Sequence, residues 1–165
     1  MTGKYHLKRI DRAMTDENEI SRVINEQKFM TIAMCKDNEA YLVTVNHAFD
    51  KSTNSFYFHC AQEGKKIDFI KANPLVWGQI LEDMGYSQGD CDHAYRTVQF
   101  KGRAELISDI EEKRQALELM IEGLEEEPEK CKKEFITRSE LEKVAICRID
   151  IMELSGKENI IKEED

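Results

Sequence analysis

The chain is expected to be mainly β: a six-stranded antiparallel barrel with helices packed outside it. Three observations predict this. Short runs rich in β-branched and aromatic residues are separated by turn-forming residues at close intervals. Segments with helical periodicity stand only at the start, after the third strand and after the fifth. No strand–helix–strand alternation runs through the chain, which argues against a doubly wound parallel sheet.

Residues 1–15 are basic and mixed, with Lys4, Lys8, Arg9 and Arg12. Asp16 stands three residues before Glu19, the spacing of a capping box. Ile20, Val23 and Ile24 then form the apolar side of a short helix to about Gln27. Phe29 to Cys35 reads as a strand, closed by the turn residues Lys36, Asp37 and Asn38. Ala40 to Ala48 is its hairpin partner. Tyr41, Val43, Val45 and His47 share one face of it, and Leu42, Thr44, Asn46 and Ala48 the other. Asp50 to Asn54 is a second turn, and Ser55 to Cys60 a third strand. Gly64 to about Ala72 is read as a helix with Ile67 and Ile70 buried, ended by Asn73-Pro74.

Leu75 to Leu81 follows as a fourth strand, residues 83–93 as a long mobile loop, and Tyr95 to Ile107 as a fifth strand with Gly102 at a bulge or bend. Ser108 and Glu111 form a second capping box. Ile110, Leu117, Met120, Ile121 and Leu124 mark one face of a longer helix, which Glu125 to Pro128 breaks. A short helical segment is expected around Lys132 to Ile136, and a sixth strand at Lys143 to Ile151. One domain covers 1–165, with its core at about 8–157 and a charged tail at 158–165.

The composition restricts function. The 33 acidic residues exceed the 24 basic ones, a net charge of −9, and no basic stripe is present, so nucleic acid is not an expected partner. No apolar run approaches the roughly 20 residues of a membrane helix. The N-terminus lacks the apolar segment of a signal peptide, and the expected location is cytoplasmic. Five widely spaced cysteines without a C-x-x-C pair fit reduced thiols. The cluster Asp90, Cys91, Asp92 and His93 has no second ligand pair nearby, so no metal site is expected. Glycine-rich nucleotide fingerprints are missing.

Gly64, Lys65 and Lys66 at a helix start are the informative exception in this acidic chain. The helix dipole there favours negative charge, so two cations either form a solvated pair or complete an anion site, most simply for phosphate. Thr44, Asn46 and His59 are polar residues in otherwise apolar strands; they face water or line a pocket. Neighbours in a strand point to opposite faces, so His59 and Cys60 do not form a nucleophile–base pair. Cys60 reads as a small buried residue.

Tyr57-Phe-His-Cys-Ala-x-x-Gly-Lys-Lys, followed by Asn73-Pro74-x-Val76, resembles the FMN-binding split barrels related to pyridoxamine 5′-phosphate oxidase. Within them it is most similar to the nitroimidazole-resistance (Nim-type) branch. Lys8-Arg9-x-x-Arg12-x-Met14, Tyr95-Arg96-Thr97-Val98, Gly102-Arg103-Ala104-Glu105, Glu112-Lys113-x-x-Ala116-Leu117 and Ser155-Gly156-Lys157 fit the same pattern. The resemblance covers roughly residues 8–157. It implies a split barrel, a homodimer with FMN in a groove between the subunits, and a small-molecule substrate. Val43, Thr44, Val45 and Asn46 would run along the isoalloxazine ring, with His59 and Cys60 beside the cofactor. Gly64, Lys65 and Lys66 would take its phosphate, and Thr97 would touch the flavin. His59 would be the catalytic residue of an oxidoreductase acting on a small electrophile such as a nitroimidazole or another nitroaromatic. The same barrel could instead serve as a non-catalytic or redox-sensing module for flavin, haem or a deazaflavin. The tryptophan- and arginine-containing C-terminal motif of the vitamin B6 oxidase is not evident, since the only tryptophan is Trp77. Vitamin B6 oxidation is not expected.

Overall fold

The computed structural model describes residues 8–161. Lys4 and the last four residues of the charged tail lie outside them. Among the described residues there are eight strands: β1 Ala13–Met14, β2 Phe29–Lys36, β3 Glu39–Asn46, β4 Ala48–Asp50, β5 Ser55–Cys60, β6 Leu75–Ser87, β7 Asp92–Ile107 and β8 Ala145–Asn159. The helices are α1 Glu17–Glu26, α2 Lys65–Ala72, α3 Ile110–Leu124, α4 Pro128–Phe135 and α5 Arg138–Lys143. The strands form one antiparallel sheet in the order β3-β2-β6-β7-β8-β5-β4, with β1 added against β8. The mainly β expectation holds, with helices on the periphery and eight strands in place of six.

The sheet curls around its core but its hydrogen-bonded ladder stays open between β3 and β4. These two strands stand at opposite ends of the order, yet only His47 separates them in sequence. The expected strand 40–48 therefore breaks at His47. Its first part pairs with β2 and its last residues pair with β5. Strands this short leave no period-two pattern, which is why β1 and β4 escape a reading from periodicity.

Inside the curl, Met30 and Ile32 of β2, Phe56 and Phe58 of β5, Ile80 of β6, Val98 and Phe100 of β7, and Ile149 of β8 are fully buried. Val23 and Ile24 of α1 close one end, and Phe69 and Ile70 of α2 pack on the same core. Gly78 permits the central contact. A Cβ there would lie 2.1 Å from the Phe100 ring, which itself packs 4.6 Å from Phe56. A second cluster joins Tyr57 and Ile146 to Ala116 of α3.

Other boundaries also differ from expectation. Residues 83–93 are mostly not a loop: β6 continues to Ser87 and β7 starts at Asp92, with an irregularity between Asp83 and Tyr86. β8 runs on to Asn159, so Glu158 and Asn159 of the expected tail are strand. Asp109, not Ser108, caps α3, accepting from the N–H groups of Glu111 and Glu112. Asp16 caps α1 through the N–H of Asn18, while Glu19 turns to Arg22 and Arg96. A bulge lies at Gly102 as expected.

Candidate functional site

The residues expected to take a phosphate stand where β5 hands over to α2. Gly64 takes φ +124°, a left-handed conformation that favours glycine, and a Cβ there would meet open space. No side chain caps α2, so its first N–H groups point outward unclaimed by a cap. Lys66 Nζ sits 5.4 Å from the centre of the Phe58 ring and acts electrostatically on both His59 and Cys60. Lys65 swings the other way. It pairs with Glu39 at 2.5 Å and lies over the rings of Tyr41 and Phe69.

β5 then sorts its side chains by alternation. Phe58 and Cys60 belong to the core side, and His59 is exposed on the opposite side, so His59 and Cys60 diverge as expected. Partial burial, reinforced by Lys66, lowers the His59 pKa from the ordinary imidazole value. Burial raises the Cys60 thiol against the opposing pull of Lys66, which keeps it protonated and inert near neutrality.

β3 is the free edge of the sheet, and an edge strand carries unpaired backbone donors and acceptors. Tyr41, Val43 and Val45 rest against the core only partly buried. Thr44 shares its hydroxyl with Thr31 at 3.0 Å, and Asn46 donates to the Lys28 carbonyl at 3.0 Å. Both lie on the outer face of the sheet. Thr97 is on that face too, paired in register with Leu81 and Lys157, and its buried hydroxyl has no hydrogen-bond partner among the described residues.

The structure thus sets His59 and Cys60 on opposite faces of β5, both within electrostatic reach of Lys66 just after Gly64, with Lys65 turned toward the start of β3. One chain does not bring Thr97 to them. Glu39 and Asn46 mark opposite ends of β3, about 24 Å apart for seven extended steps; Lys65 lies at the Glu39 end, and the Asn46 end is the Thr97 end of the sheet.

The outer face carries a polar row in register, Thr44–Thr31–Gln79–Gln99–Ser155. Apolar residues flank it: Leu42 is 65% exposed, Phe29 59%, Leu81 49% and Trp77 41%. Together these side chains form an exposed apolar patch on the outer face of the curled sheet.

On the other side of His59, α3, α4 and α5 border a cavity of about 260 Å³ that opens to solvent on one side, lined by Leu117, Met120, Leu124, Phe135 and Val144 among others. This cavity and the Glu39–Lys65 pair were not among the expected site residues. A signal for the cavity was present: the apolar stripe of α3 is wider than its buried part, which consists of Ala116 and Met120.

Fold and site together define a split-barrel protein with an uncapped, lysine-bearing helix start close to an imidazole. The family model described as pyridoxamine 5′-phosphate oxidase matches residues 16–158, and the chain belongs to that family. No curated protein matches by sequence. Among solved structures, the fold is similar to that of a candidate 5-nitroimidazole antibiotic resistance protein from Bacteroides thetaiotaomicron, at TM-score 0.72 and 19% identity, covering 88% of this chain and 85% of that one. It is also similar to a FAD-binding protein from Mesorhizobium loti, at TM-score 0.65 and 23% identity over 90% and 98% of the two chains. A FAD- and haem-binding protein from Mycobacterium smegmatis matches at TM-score 0.75 and 14% identity over 93% and 76%. At these identities the likeness to solved structures concerns the fold alone. No helix among the described residues is long and apolar enough to cross a membrane.

Proposed function

We propose that the protein binds FMN and acts as a flavin-dependent oxidoreductase on a small electrophile such as a nitroimidazole or another nitroaromatic, working as a homodimer. The observation that carries this reading is the uncapped start of α2, with Gly64, Lys65 and Lys66 beside His59, in a member of the pyridoxamine 5′-phosphate oxidase family. Those residues fit a phosphate. Gly64 leaves room for oxygen atoms to approach, backbone N–H groups point outward, and Lys66 adds a charge without leaving its place over Phe58. Lys65 joins by exchanging Glu39 for the phosphate.

The free edge of β3 at Val43, Thr44, Val45 and Asn46 offers backbone donors and acceptors to the ring system, and Cys60 packs beside it as an inert neighbour. Thr97 enters only across a dimer, since it sits on the outer face with Leu42, Trp77 and Leu81. The bound flavin would supply the electrons for substrate reduction. His59 holds the proton-transfer role as the imidazole nearest the α2 start, with a pKa that burial and Lys66 lower from the ordinary value.

The visible absorption spectrum of the purified protein tests the reading, with mass spectrometry of any released chromophore. A yellow protein releasing FMN supports it, and a colourless protein that refuses added FMN defeats it. A sensing or storage role is the second reading, favoured by the fold's likeness to a protein described as binding both FAD and haem. Anaerobic reduction with NAD(P)H and a nitroimidazole separates the two: bound flavin without turnover on any acceptor supports sensing.

A further inference from the structure

We propose that the cavity beneath α4 and α5 is a pocket for an uncharged aromatic molecule of one or two rings, held with one edge against the His59 imidazole. Its size fits. A cavity of about 150 Å³ walled by aliphatic side chains takes up benzene, so the present cavity of about 260 Å³ holds a substituted ring.

Its walls are apolar for a reason that packing alone does not supply. α3 turns Leu117, Ile121 and Leu124 toward the space and fully buries only Ala116 and Met120. α4 buries none of its residues and leaves Phe135 half exposed at the rim. A purely structural cap of three helices packs such surfaces against each other to crystal-like density. Here they face a shared void that ends at β5.

The charges select among aromatic ligands. Among the described residues lining the cavity there is no lysine or arginine, and the acids Glu125 and Glu140 stand at it. Glu140 is answered by Lys143 at 2.7 Å, outside the lining. Glu125 is answered only weakly, by a hydrogen bond with the Cys131 thiol, whose pKa is raised chiefly by burial and then by that carboxylate. A carboxylate or phosphate on the ligand would be desolvated beside like charge. His59 is the directional group: one ring nitrogen can donate to, or accept from, a polar substituent at the cavity end. What happens to the bound molecule rests on the flavin reading; its binding does not.

The test uses two probes that share a nitrophenyl ring, nitrobenzene and 4-nitrobenzoate, with uncharged 4-nitrobenzamide as the size control for the carboxylate, in equilibrium dialysis against the full chain with and without FMN. Nitrobenzene is expected to bind at least about tenfold tighter than 4-nitrobenzoate, since discrimination comes from an unanswered buried charge. The His59 ring resonances are expected to move on adding nitrobenzene. Leu124→Trp and Leu117→Phe, both checked for wild-type circular dichroism, are expected to lose nitrobenzene. Equal affinity for the two probes, unmoved His59 resonances, or unchanged retention by both folded variants overturns the proposal; if neither variant folds, the probe comparison and the His59 resonances decide. FMN uptake with no nitrobenzene retention defeats the pocket alone. Nitrobenzene retention without FMN uptake defeats the function proposed above and leaves the pocket standing.

Discussion

The Nε2 of His47 lies 3.0 Å from the carbonyl oxygen of Ile24, so the buried imidazole donates to the last turn of α1 at the residue where β3 becomes β4. Its ring also meets Phe56 edge-on at 5.4 Å. Nδ1 is buried with no partner among the described residues, which suits an unprotonated nitrogen.

Burial therefore lowers the His47 pKa, partly opposed by the bond to Ile24. The unfolded chain takes up a proton near pH 6.5 that the folded chain refuses, so this contribution is complete above about pH 6.5 and is lost as pH falls toward the folded pKa. Urea midpoints should fall between pH 7.5 and 5.5, and less so in His47→Gln. That variant should itself lose about 1–3 kcal/mol at neutral pH by leaving the Ile24 carbonyl poorly satisfied.

Lys66→Glu should weaken FMN binding by at least about tenfold, the equivalent of one lost charge-assisted contact replaced by repulsion. Unchanged affinity in fluorescence titration would mean that the phosphate lies elsewhere. Glu39→Gln should act in the opposite direction by releasing Lys65. Its gain should stay below about fivefold, because exposed ion pairs contribute little.

His59→Ala should reduce turnover while leaving FMN affinity within about twofold, if the ring donates a proton rather than holding the cofactor. In wild type the protonated imidazole is required, and its pKa is lowered by burial and by Lys66. The rate should then decline as pH rises through values below about 6.5. A flat profile over pH 5 to 8 would remove His59 from the proton-transfer step.

Leu42→Glu combined with Trp77→Glu should produce monomers in light scattering and lower flavin retention in parallel, since the two side chains share the outer face and association would be linked to cofactor binding. Monomers that keep flavin at wild-type affinity would refute an interfacial cofactor.

Gly78→Ala should destabilise the fold by about 1–3 kcal/mol through overpacking against Phe100. The FMN affinity of the folded fraction should be unchanged.

Much of this was legible in the sequence because local signals and tertiary demand agree. The strands β2, β3 and β5, the helix of α2 and its end at Asn73, and the bulge at Gly102 all follow from residue pattern. The charged residues Asp83 and Asp92 hid the hairpin extension of β6 and β7. Asp83 meets His93 at 2.7 Å across the two strands, and Asp92 accepts from Asn159 of β8. Such cross-strand pairs come from register and carry no period. The grouping of Lys66 with His59 and Cys60 was readable because all lie within eight residues; the roof over His59 was not, since it comes from residues 117–144. Nothing local in Lys65 announces Glu39, 26 positions earlier, as its partner.

The turn of the chain at His47 also sets the order in which the molecule can assemble. β2 and β3 form a local hairpin that can close within microseconds, but β4 finds its place only through β5, and β5 pairs with β8. The contact between Ser55 and Asp150 spans 95 positions. During synthesis the core side of the first hairpin, with Met30, Ile32 and Met34, therefore stays incompletely covered until β8 has been made. Folding of this barrel should be slow and almost entirely post-translational, governed by long-range closure and not by helix formation.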